Sequence, residues 1–150
     1  MSVEVGGCDS LEQALSRYFA TQALEGEDMY CAGEHGKQEA DMQVRFTSAP
    51  PLLQLHLKRF SFDPKTSTSV KLTHQVSVPP TIDTSPYGPA ASKYSLFAAI
   101  IHVGGTGGGH YYSIVKPAEK GQWFKFDDVS VSPLDASKVS SLCAGGGGSS

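Results

Sequence analysis

The apolar positions of the chain follow two periods. Leu11, Leu15, Tyr18 and Phe19 recur at helical spacing, which predicts a helix with that stripe buried. Ser10 stands at its start with Gln13 three residues on, the spacing of a capping box. Over residues 52–60 the period falls to two. Leu53, Leu55 and Leu57 alternate with Gln54, His56 and Lys58, predicting a strand with one buried face. Residues 94–103, YSLFAAIIHV, form an uncharged run rich in β-branched and aromatic side chains, read as a buried central strand. HYYSIV at 110–115, WFKF at 123–126 and VSV at 129–131 then predict an antiparallel meander over 102–128. Val70, Leu72, Val76 and Val78 predict shorter strands.

The polar stretches separate these elements. Residues 25–43, broken by Gly26, Gly33 and Gly36, read as a turn-rich excursion or hairpin. Ala49-Pro50-Pro51 stops what precedes it, and Phe62-Asp63-Pro64 opens a turn into the small, polar residues 65–69, expected as a mobile loop. Residues 79–92 read as loop, 136–142 as a short helix, and 143–150 as a flexible Gly/Ser tail. The fold class expected is α+β, mainly antiparallel sheet with one N-terminal helix.

Composition narrows the function. At 150 residues the chain holds one domain at most. A net charge of -3 gives no basic excess for nucleic acid or a membrane surface. No apolar run reaches the roughly 18 residues of a membrane span, and MSVEVGGCDS has neither the basic nor the apolar region of a signal peptide. Cys8, Cys31 and Cys143 are too few and scattered for a disulfide framework, and there is no Asn to glycosylate. The expected compartment is reducing: cytoplasm, nucleus or both.

The sharpest chemical feature is a strand, a glycine-rich loop, a His, a strand and an Asp. GGTGGG at 104–109 leads into His110, and Asp127 lies 17 residues further on. If the two strands pair, the side chains meet at one end of the sheet. A catalytic imidazole needs such a carboxylate to fix its tautomer and stabilise the imidazolium. The same spacing also fits a surface His and a solvated Asp, and spacing alone does not choose between them. The glycine segment lacks the lysine and following helix of a phosphate cradle.

At these residues the chain resembles the ubiquitin-specific proteases. Tyr94-Ser-Leu96-Phe-Ala98, His102-Val-Gly104 and Gly109-His110-Tyr111 resemble the histidine box of that family, and FDD at 126–128 its aspartate box. LLQLHLKRFSFDP at 52–64 resembles the strand before its first blocking loop. YCAGEHGKQEA at 30–40 resembles a segment of the herpesvirus-associated subgroup. The likeness runs from about Cys8 to about Pro133, with one departure at Ala99, where a bulkier apolar residue is usual.

The resemblance implies roles. His110 is the general base for a cysteine thiol, Asp127 its orienter and Asp128 a supporting residue. Tyr111, with Gly104, Gly105, Gly108 and Gly109 of the second blocking loop, lines the channel for the C-terminal tail of ubiquitin. Residues 8–50 belong to the fingers and 51–133 to the palm of an incomplete papain-like domain occupying 1–142. Ubiquitin and ubiquitinated proteins are the partners, and no cofactor is implied.

The family's nucleophile sits in an Asn-x-Gly-Asn-Thr-Cys box, which this chain lacks. The expectation is therefore a portion of a larger catalytic domain, inactive alone, since a His–Asp pair without a thiol forms no acyl-enzyme. Cys8 is the rival nucleophile on physical grounds, because it precedes a helix whose N-terminus lowers a thiol's pKa. Cys31 and His35 fall short of the four ligands of a structural zinc, so no metal is expected. Cys143 reads as a bystander in the tail, His56 and His74 as surface and loop residues, and His102 as a buried, hydrogen-bonded imidazole. Trp123, Phe124 and Phe126 read as core. A non-catalytic ubiquitin-binding module is the alternative function, and an unrelated β-rich interaction domain the third.

Overall fold

The computed structural model describes residues 1–65, 67–90 and 92–145. The chain opens with a strand that the sequence reading did not anticipate. β1 (Ser2–Glu4) pairs in parallel with β6 (His56–Lys58) and turns Val3 into the first core, where Val5 follows it. The signal was present in the alternation of Val3 and Val5 with Ser2 and Glu4. α1 (Leu11–Tyr18) begins where its cap predicts: Ser10 Oγ accepts from the Gln13 N–H at 3.1 Å. The reciprocal bond comes from Asp9, whose N–H donates to Gln13 Oε1 at 2.8 Å. Leu11, Leu15 and Phe19 are buried as expected, but Ala14 takes the place of Tyr18, which is exposed. Arg17 ties the helix back to β1 by donating to the Glu4 and Gly6 carbonyls at 2.9 Å each.

The polar excursion is a two-tier ribbon. β2 (Gln22–Leu24) pairs with β5 (Ala40–Met42), and β3 (Tyr30–Cys31) with β4 (Lys37–Gln38), both antiparallel. Between Leu53 and Lys58 burial alternates as predicted, although only His56–Lys58 pairs as strand. β7 (Phe60–Asp63) and β8 (Thr68–Lys71) form an antiparallel hairpin around the turn expected after Asp63. The loop predicted over 79–92 contains β9 (Thr81–Asp83), which pairs with β10 (Lys93–Ser95).

The meander is the principal sheet. β11 (Ala98–Gly105), β12 (Gly108–Val115), β13 (Trp123–Asp127) and β14 (Ser130–Leu134) lie in that order, all antiparallel. The run at 94–103 is not one central strand. It breaks at Leu96-Phe97 into β10 and β11, and β11 is an edge. The row Ile100, Ser113, Phe126 and Val131 lies on one face, where Ile100 is 79% and Val131 58% exposed. The opposite face carries Ile114 and Trp123 against Val139 of α2 (Ala136–Ala144). Asp135 caps α2 by accepting from the Ser137 N–H at 2.9 Å. Cys143, expected in the tail, therefore belongs to α2 and is half-buried against the second core. The rest of the predicted tail, 146–150, lies outside the described residues.

Arg59 joins the two cores. Its guanidinium donates to the His74 carbonyl at 2.9 Å and to the Ala144 carbonyl at the end of α2 at 2.6 Å. The latter satisfies one of the helix's last free acceptors.

The glycine segment is a hairpin rather than an open loop, with Gly104 opposite Gly109, Gly105 opposite Gly108, and Thr106-Gly107 as the turn. Only two of its glycines are required by packing. Gly104 holds φ 118 against Gly109 Cα, and a Cβ on Gly109 would collide with the His102 ring and the Val103 carbonyl. A Cβ on Gly105 meets nothing within 4 Å. We therefore expect Gly109→Ala to destabilise the protein by about 1–3 kcal/mol, as overpacking does. Gly105→Ala should leave the denaturant midpoint nearly unchanged. Equal midpoints for the two variants would contradict the packing described.

Candidate active site

The site is assembled by strand register. Across β12 and β13, Ser113 faces Phe126 and Ile114 faces Lys125. Alternation then sets His110, Tyr112 and Ile114 of β12 on the same face as Trp123, Lys125 and Asp127 of β13. His110 and Asp127 stand diagonally across the end of this pair, within reach of long side chains. Their contact is direct: His110 Nε2 lies 2.5 Å from Asp127 Oδ1. A carboxylate only accepts, so Nε2 carries the proton and Nδ1 is left as the ring's acceptor.

Asp127's other oxygen is also engaged. Lys125 Nζ lies 2.6 Å from Oδ2 and 4.3 Å from the centre of the Tyr112 ring. The carboxylate is thus held at both oxygens, by His110 from the neighbouring strand and by Lys125 from its own strand. The sequence reading missed Lys125. Its signal is the two-residue spacing from Asp127 on one strand, which places both on one face.

Asp128 begins the turn to β14 with φ 51, a left-handed conformation that Asp tolerates better than most residues. The potential ligand atoms of His110, Asp127 and Asp128 all lie within 4.8 Å of one another. The structure therefore brings together the three residues predicted as one catalytic group, and that group contains no thiol. Tyr111 turns to the opposite face, where it is exposed and packs on His102 with ring centres 4.6 Å apart.

The charges reinforce each other. The hydrogen bond to Asp127 raises the His110 pKa above its ordinary value, and the charge of Asp128 adds to it, while Lys125 opposes. Lys125 and then His110 hold the Asp127 carboxyl below the usual range. The raised imidazole contributes its stability in full below its unfolded value of about 6.5 and loses it as pH rises through the folded one. The depressed carboxylate contributes in full above about 3.9 and loses it as pH falls through its folded value. The pair is strongest between those limits.

The alternative nucleophile does not survive. Cys8 is 1% exposed and packs with Val3, Val5, Leu11 and Val76 in the first core, so its position before α1 gives it no access to substrate. Cys31 is exposed on β3. Burial pushes the Cys143 thiol up, away from thiolate.

The chain is similar to known proteins in sequence and in fold. The pattern of the ubiquitin carboxyl-terminal hydrolase family matches residues 4–145. Ubiquitin C-terminal hydrolase 12 of Arabidopsis thaliana is 34% identical over 149 residues, covering 93% of this chain and 13% of that protein. Ubiquitin carboxyl-terminal hydrolase 7 of Drosophila melanogaster is 40% identical over 127 residues, covering 82% of this chain and 11% of that protein. The SAGA Ubp8/Sgf11/Sus1/Sgf73 DUB module bound to ubiquitin aldehyde superposes with a TM-score of 0.83 at 26% identity, covering 96% of this chain and 34% of that one. The mixed, mostly antiparallel α+β fold is thus the one seen in solved ubiquitin-specific protease structures. This chain spans a small part of its relatives' length.

The electrostatics give a signed expectation. In an NMR titration of the His110 ring, Asp127→Asn should lower the midpoint and Lys125→Met should raise it. A midpoint that Asp127→Asn leaves unmoved would remove Asp127 from the role of orienter.

Proposed function

The chain belongs to the ubiquitin carboxyl-terminal hydrolase family, and from that premise we propose that it is the base-carrying portion of a thiol-dependent deubiquitinase. The observation that carries the reading is the His110–Asp127 contact, which commits Nε2 and leaves Nδ1 available to a thiol. The segment at 30–40 supports placing it in the herpesvirus-associated subgroup of ubiquitin-specific proteases. Ubiquitin is the partner this reading implies, as for the solved module that holds ubiquitin aldehyde.

The chemistry follows from the free ring nitrogen. A cysteine supplied from outside these 150 residues gives its proton to His110 Nδ1, and the thiolate attacks the carbonyl carbon of ubiquitin's C-terminal glycine. The C–N bond breaks as the leaving amine takes the proton back from Nδ1, and ubiquitin remains as a thioester. Water then gives a proton to Nδ1 and attacks the thioester, and the sulfur leaves to recover that proton. Asp127 holds the ring and stabilises the imidazolium in both halves, and Asp128 adds negative charge nearby. The glycine hairpin and Tyr111 form the wall for an extended tail, since glycines let a backbone approach closely. The ribbon of β2–β5, whose side chains are almost all exposed, belongs to the fingers within 8–50, and residues 51–133 form the palm. Three unpaired thiols suit the reducing conditions of cytoplasm or nucleus.

The second reading, a ubiquitin-binding module without catalysis, is favoured by one observation: no thiol joins the His–Asp group. The two readings separate in a ubiquitin–amide reporter assay. The chain alone should give no turnover. Mixed with a polypeptide bearing the family's cysteine box, it should gain activity that His110→Ala lowers by about 10²–10⁴-fold. Saturable ubiquitin binding with no turnover in either mixture would establish the binding module instead. Turnover by the chain alone, unchanged in His110→Ala, would refute both.

A further inference from the structure

The β7–β8 hairpin and the glycine hairpin are separated by 26 or more residues of sequence, yet they are fastened together beside the candidate site. Lys71 Nζ donates to the Gly104 carbonyl at 2.6 Å and to the His102 carbonyl at 3.2 Å. These are edge acceptors. The Lys116 N–H donates to the Phe97 carbonyl at 2.7 Å at the start of the β11–β12 pair. Hydrogen-bonded pairs alternate in an antiparallel ladder, so odd-numbered residues of β11 bond to β12. The carbonyls of His102 and Gly104 therefore point outward, where no strand lies among the described residues. The ammonium caps two of them at once, as a neighbouring strand would.

The same cross-strand pair makes a second contact. Phe60 lies directly opposite Lys71, and its ring centre is 5.6 Å from that of His102. On its other side His102 meets Tyr111, its partner in a non-hydrogen-bonded pair, where side chains approach most closely. Gly109 fits beneath the same imidazole with no room for a Cβ. The hydrogen-bonded imidazole expected here is not found at Nδ1, which is buried with no partner among the described residues; the ring's contacts are the packing ones with Phe60, Tyr111 and Gly109.

We propose that Lys71 and His102 are positioning residues that clasp the β7–β8 hairpin to the glycine hairpin and thereby fix the start of β12, where His110 and Tyr111 stand. The two hairpins then shift as one unit. A peptide tail laid along the glycine strand engages both, and a change in β7 or β8 is felt at His110. The functional weight of the clasp rests on His110 being the base, but the fastening is testable without turnover.

The test is amide hydrogen exchange of the whole chain with four variants. Lys71→Met keeps the stem and removes the ammonium, and Lys71→Arg keeps the charge. His102→Phe keeps an aromatic ring, and His102→Ala removes it. Lys71→Met and His102→Ala should each lose about tenfold or more of the protection in Gly104–Gly109 and in β8, with β13 and β14 unchanged. Lys71→Arg and His102→Phe should stay within about threefold of the parent. Unchanged protection of the glycine hairpin in Lys71→Met would overturn the proposal, as would a uniform loss over all strands. If His102→Phe behaves as His102→Ala, the packing role of the ring is wrong. The readout is independent of reporter activity, so failure of the clasp and failure of the base assignment appear in different experiments.

Discussion

Ser113 opposite Phe126 and Ile114 opposite Lys125 set the register of β12 on β13, and the site depends on that register. A one-residue slip would send His110 or Asp127 to the other face. Burial on a single face resists such a slip. Ile114 and Trp123 are sealed under Val139 of α2, and moving them outward would expose two large apolar side chains. Packing at one end of the two strands therefore positions polar chemistry at the other. The carboxylate needs no depth to hold the imidazole. Both are partly exposed, and their alignment comes from the strands and from Lys125 on the second oxygen.

The supports of this arrangement lie far from it in sequence. Arg59 carries the end of α2, which covers the sheet, back to the 72–74 segment beside the first core. Lys71 fastens the edge of β11. Each cation satisfies carbonyls that regular structure leaves open, at a helix end or a strand edge. Long basic side chains thus join two cores that share little apolar contact.

Much of this was legible in the sequence, for identifiable reasons. The α1 start followed from Ser10 and Gln13, because capping is a local interaction. The spacing of His110 and Asp127 allowed their meeting as readily as a surface His and a solvated Asp, and the strand register brings them together. β1 was missed because three residues of alternation are too short to separate from loop, and its parallel partner lies 54 residues away. The run at 94–103 was misplaced because apolar content implies burial only if something covers it. Among the described residues Ile100 itself stays uncovered. Cys8 was a rival nucleophile from its place before a helix, against its reading as a structural cysteine, and tertiary packing decides for the latter by placing its thiol inside the core. Lys71 and Lys125 escaped notice because isolated lysines have ordinary explanations, and His102 was expected as a buried imidazole without a part in fastening strands. Lys71 and His102 meet partners on other strands, whereas Lys125 pairs with Asp127 on its own. The nucleophile's absence was legible only through the family resemblance.

The reading of the site turns on Asp127 holding His110 by Nε2 and leaving Nδ1 open to a thiol. Nitrogen-15 NMR of the imidazole, recorded above the midpoint of His110, reads this directly. The expected result is a protonated Nε2 and a bare Nδ1, with that preference lost in Asp127→Ala. A proton on Nδ1, or an even mixture that Asp127→Ala leaves unchanged, would contradict it.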